Sequence, residues 1–98
     1  MNDFAADLTE DRRLTILRVL LESAGYTANE FIVMTMLKNF AHMVSVDRLH
    51  TDLAWLQEQE LITVRVTANV RIATLTVRGS DVAQGLTLVP GVKRPRIV

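Results

Sequence analysis

Arg48 and Thr51 stand about one helical turn apart in a stretch of helical periodicity, and such a pair can reach into a groove of duplex DNA. Arginine offers a fork of donors to guanine or phosphate, and a threonine hydroxyl can bond a base edge or a backbone oxygen. Arg65 and Arg71 flank a chain reversal further on, where two guanidinium groups could hold a phosphate between them. Lys93, Arg94 and Arg96 crowd the C-terminus and suit a phosphate-contacting arm. Asp47 and Asp52 either read cytosine amino groups or serve as capping and solvated residues. Trp55 either packs on the hairpin or the tail, stands exposed as the anchor of a protein interface, or joins the DNA-contacting face by stacking on a base.

Other chemistries lack the residues they need. The chain has no cysteine, which excludes a disulfide framework and a thiolate metal site. His42 and His50 do not make up a four-ligand zinc site, so no metal is expected. There is no nucleophile motif, glycine-rich phosphate loop or paired-carboxylate motif, so neither catalysis nor a cofactor is expected. No apolar run approaches the roughly 18 residues of a membrane span. The start, Met1 to Asp7, is acidic and lacks the basic opening of a signal peptide. A soluble protein of the cytoplasm is expected.

Charge is spread unevenly. The net charge is zero, yet residues 1–61 hold ten acids and five bases, and residues 62–98 hold six bases and one acid. The chain thus has an acidic body and a basic end suited to a polyanion. Residues 45–60 run against that trend, with four acids and one arginine. Hydrophobic residues make up 49% of the chain, which for so small a domain points to surface covered by a partner.

The elements that must position these residues follow from periodicity. A first helix is expected from about Glu10 to Ala24, capped by Thr9 and stopped at Gly25, with Leu14, Leu17 and Leu21 on one stripe. Thr27 to Glu30 has the spacing of a capping box. The helix after it is apolar nearly all round, from Phe31 to Ala41, which implies a central helix or a homodimer interface. A short turn at Ala41 to Val44, without glycine, leads to Ser45 as cap of a third helix over about Val46 to Gln59. The period then becomes two: Ile62 to Thr67 and Val70 to Val77 read as a hairpin. A three-residue loop, Thr67 to Asn69, would pair Val64 with Ile72 and set Arg65 opposite Arg71, away from the core. Ser80 would cap a short helix ending near Gly85.

These elements describe an α+β winged helix-turn-helix: a three-helix core, a two-stranded β-hairpin wing, a short C-terminal helix and an extended tail. Residues 1–86 form the domain and residues 87–98 the basic tail.

Several stretches carry a resemblance. They include Gly25 to Glu30, Val44 to Arg48, Asp52 to Gln59, Ala73 to Thr76 and the tail Val89 to Pro95. Together with Arg78-Gly79 and Asp81 to Ala83, they resemble small winged-helix proteins of Mu-like phages and prophages, often labelled ArsR-type transcriptional regulators. The resemblance covers nearly the whole chain and implies the winged-helix fold and a phage context; with the arginines above, the expectation is a transcriptional regulator that binds duplex DNA as a dimer. Without cysteines, a metal-sensing role is not expected. The alternative is a winged-helix module for protein–protein interaction, in phage assembly or in binding a host protein.

Overall fold

Helix α1 spans Asp3–Glu22 in the computed structural model, which describes residues 3–96. It therefore starts well before Glu10, and Thr9 is not its cap. The Thr9 hydroxyl donates to the Ala5 carbonyl at 3.0 Å, the back-bond that lets threonine sit inside a helix. Ala5, Ala6 and Leu8 are good helix formers and extend the element. Leu14, Leu17 and Leu20 turn to the core. A 3₁₀ turn, Ala24–Tyr26, ends the run, with Gly25 at φ 64° in the left-handed region.

Strand β1, Thr27–Asn29, was not expected, and it replaces the capping box. It pairs antiparallel with the returning strand of the hairpin, and the Thr27 and Thr74 hydroxyls meet at 2.9 Å across the ladder. The cap of helix α2, Glu30–Asn39, is Asn29, whose side-chain oxygen accepts from the Ile32 N–H at 2.9 Å. Glu30, relieved of capping, turns inward and is 7% exposed. Ala41 takes φ 65° in the turn after α2, the conformation a glycine would have adopted freely. Ser45 caps helix α3, Val46–Glu58, by accepting from the Arg48 N–H at 3.1 Å, as its position suggested.

Strands β2, Ile62–Thr67, and β3, Val70–Leu75, form the hairpin. Its loop has two residues rather than three, with Thr67 opposite Val70, Val66 opposite Arg71 and Arg65 opposite Ile72. Ala68 and Asn69 take φ 51° and 63°, the paired left-handed residues of a tight turn that follows the twist of the strands. Arg65 and Arg71 therefore do not face each other. The outward edge of β2 is partly closed, because the Val64 N–H donates to the Gln57 side chain of α3 at 2.6 Å.

Helix α4, Val77–Ala83, is capped by Thr76, which accepts from the Gly79 N–H at 2.9 Å. Ser80 lies inside the helix instead of starting it. The segment beyond α4 packs: Val89 and Val92 are buried in the same core as Leu17, Leu37 and Leu56. Among the described residues, four α-helices and a three-stranded antiparallel sheet of order β1-β3-β2 give a mixed α+β architecture. No helix among them is long and apolar enough to cross a membrane.

Candidate nucleic-acid interface

Helix α3 buries Leu49, Leu53 and Leu56 and turns Asp47, Thr51, Ala54 and Glu58 to solvent. The spacing of four, three and four puts these exposed residues on one stripe. The Thr51 hydroxyl donates to the Asp47 carbonyl at 3.2 Å, which leaves its oxygen free to accept. Arg48 is exposed at the first turn, close enough to Arg13 of α1 for their charges to repel.

Two residues of the expected contact set are engaged inside the protein. Asp52 is 2% exposed and takes both prongs of Arg12, with Nε to Oδ2 at 2.5 Å and Nη2 to Oδ1 at 3.2 Å. It is neither a cap nor a solvated acid, but the anchor of α3 on α1. Trp55 is half-buried: the Arg13 guanidinium lies 3.8 Å from its ring centre, and Arg13 donates to the Gly91 carbonyl at 2.9 Å. Gly91 backs so closely on the ring that a methyl group there would stand 2.7 Å from it. Of the three readings of Trp55, packing under the tail is the one found.

On the other side of α3, the two-residue loop turns Arg71 toward the protein. Glu30 Oε1 accepts from the Arg71 backbone N–H at 3.2 Å, and Glu30 Oε2 is in close hydrogen-bond contact with His50 Nε2. The Arg71 guanidinium stands 3.3 Å from the same ring nitrogen. That nitrogen must carry a proton to bond the carboxylate, so Arg71 flanks it and keeps its donors for another acceptor. This cluster joins α2, α3 and β3, and it is why Arg71 does not spoil the inner face of the hairpin. Arg65, on the opposite face, is exposed.

The His50 hydrogen bond holds the Glu30 carboxyl below its ordinary value; burial pushes the other way, and the Arg71 N–H adds to the lowering. For Asp11, burial raises the carboxyl, but hydrogen bonds from His42 at 2.7 Å and Lys93 at 3.3 Å outweigh it. A carboxylate lowered on folding contributes stability above its unfolded value and loses it as pH falls through the folded one. Melting temperature should therefore drop on acidification below about pH 4, where carboxylates titrate. Glu30→Gln should cost about 1–3 kcal/mol at neutral pH and flatten that acid limb. Thermal melts from neutral to acid pH check both; an unchanged acid limb in the variant would remove Glu30 from the account.

Both histidines thus serve carboxylates, and no group of three potential metal ligands occurs among the described residues. Lys93 is held at the α1 end of the tail, where its backbone N–H donates to the Glu10 carbonyl at 3.2 Å, while Arg94 and Arg96 are exposed. The surface has an acid-containing stripe on α3, with Arg48 at its start and Arg71 and Arg65 on the hairpin. Glu30 and His50 were missed in the sequence. The one available signal was the pairing of an acid at a helix start with a histidine on the next helix.

No family model matches the chain, and no solved structure matches it. It is 48% identical over 89 residues to the "Uncharacterized protein gp26" of Escherichia phage Mu, covering 91% of this chain and 92% of that protein. It is 44% identical over 72 residues to an uncharacterized protein of Haemophilus influenzae, covering 72% of this chain and 70% of that one.

Proposed function

We propose a DNA-binding role for this chain, which belongs to the family of the phage Mu protein gp26. In this reading it is a small winged-helix protein that sets α3 against duplex DNA, with the β2–β3 hairpin as the wing. The element order α1-β1-α2-α3-β2-β3 and the sheet order β1-β3-β2 support that assignment. The observation that carries the reading is the placement of cations around α3. Arg48 stands at its start, Arg71 beside His50 on its hairpin side, and Arg65 lies beyond on the hairpin.

Phosphates would be met from these flanks, with Arg94 and Arg96 of the tail available for more. Asp47 and Thr51 would face base edges, where a carboxylate accepts from cytosine amino groups. Regulation of transcription without metal sensing is the role this implies.

Fluorescence anisotropy with labelled duplexes at about 50 and 200 mM salt tests the reading. With about four phosphates neutralised, the log–log salt slope should lie near −3.6, at about −0.9 per phosphate. Arg65→Ala should make the slope less negative by about 0.9 without harming the fold. Failure to bind at the lower salt would reject the proposal. A second reading, a protein-interaction module in phage assembly or host binding, is supported by the exposed Phe31, Ile32, Phe40 and Met43 in and after α2. In that reading α2, and not Trp55, carries the contact.

A further inference from the structure

Helices α1 and α2 leave an open groove of about 490 Å³ between them. Leu14 and Val19 of α1 line it together with Ile32, Met36 and Phe40 at the α2 side. Ile32 is 51% exposed and Phe40 is 60% exposed, so the groove has an uncovered apolar wall. From Ile32 to Phe40 that wall is about 12 Å long, room for about two turns of helix at 1.5 Å per residue.

The same molecule carries a segment of that size and character. Asp3 to Leu8, the opening turns of α1, are all exposed, with Phe4 at 68% and Leu8 at 42%. Phe4 and Leu8 stand four apart and form one ridge. The ridge continues along α1 through Asp11, Thr15, Arg18 and Glu22, which line the groove. A ridge and a groove in series on one helix make a surface that a two-fold axis can match to itself.

The charges fit the same arrangement. Asp3 to Leu8 contains two acids and no base. Arg18 is exposed on the groove and forms no ion pair among the described residues. When two α1 helices run antiparallel with the axis midway between Leu8 and Arg18, each Arg18 comes opposite Leu8 and beside Asp7 of the other copy, an acid that forms no ion pair among the described residues.

We propose that this face binds a second copy of the chain. The N-terminal turns of each α1 lie in the partner's α1–α2 groove, with Phe4 and Leu8 as the apolar insert and Arg18 as the ionic latch. The surface shares no residue with the α3–hairpin face, so this inference stands apart from the DNA-binding reading.

Sedimentation equilibrium of the full chain at about 100 µM is the test, since well-matched interfaces of standard size hold at micromolar concentrations or below. The expected mass is twice 11.0 kDa. Phe4→Glu combined with Leu8→Glu should give a monomer with an unchanged circular dichroism spectrum, because both side chains are largely exposed. Arg18→Asp should weaken association at least about tenfold, or 1.4 kcal/mol, and Asp7→Arg in the same chain should restore most of it. A monomeric wild type, or a dimer that none of these changes disturbs, overturns the proposal.

Discussion

Gly79→Ala should lower the melting temperature by roughly 12–24 °C, although alanine is the better helix former. Gly79 is buried in the first turn of α4, where a Cβ would stand 2.0 Å from the Leu61 carbonyl oxygen and 2.7 Å from Leu75 Cδ1. The oxygen is backbone and already accepts from the Thr76 N–H at 3.1 Å, so it cannot retreat without moving the start of β2. Alanine gains about 1 kcal/mol over glycine in helix propensity. Overpacking in a well-filled core costs about 1–3 kcal/mol and more when backbone must move. With backbone forced to move, a cost of about 4 kcal/mol less the propensity gain leaves a net loss of about 3 kcal/mol, which converts at about 4–8 °C per kcal/mol for a domain of this size. Thermal unfolding followed by circular dichroism reads the result. A melt at or above the wild-type temperature would mean that α4 can slide away from Leu61.

Asp52→Ala should cost about 3–5 kcal/mol, the usual loss when one member of a buried ion pair is removed. Arg12 would keep its charge at 6% exposure with neither prong of Asp52 to receive it. Replacing both partners, as Arg12→Met with Asp52→Leu, should recover most of that loss, because two packed apolar side chains need no mutual charge. The comparison of single with double variant by urea unfolding separates a harmful orphan from a generally important position. If the double variant is as unstable as the single, the pair contributes through geometry that methionine and leucine cannot copy.

Much of this was readable in the residues. Ser45 as cap and the apolar spacing of Leu49, Leu53 and Leu56 placed α3 to within a residue, because capping and periodicity are local, while Val46, on the same spacing, is 55% exposed. The hairpin strands were legible from their alternation, although the second was read on to Val77 and ends at Leu75, where Thr76 caps α4. Strand β1 was not: three residues are too few to show a period, and Thr27 followed by Glu30 imitates a helix start. The hairpin register failed for a different reason. Arg71 looked wrong on an inner face until Glu30 and His50, 41 and 21 residues away in sequence, were found waiting for it. Asp52 was likewise placed by Arg12, 40 residues earlier. Ion pairs at that separation leave no local pattern, so the charged contacts at the candidate interface were the least visible part.

The tail that covers Trp55 bears on how the chain is made. Arg13 bonds Gly91 across 78 residues, and Asp11 bonds Lys93 across 82. A ribosome delivers α1 at about 5–20 residues per second, and the tail partners of its N-terminal half follow 78 and 82 residues later. Until Gly91 and Lys93 have emerged, neither contact can form and that face of Trp55 stays bare. The sheet and all four helices are thus delivered before the segment that closes over Trp55 and adds Val89 and Val92 to the core.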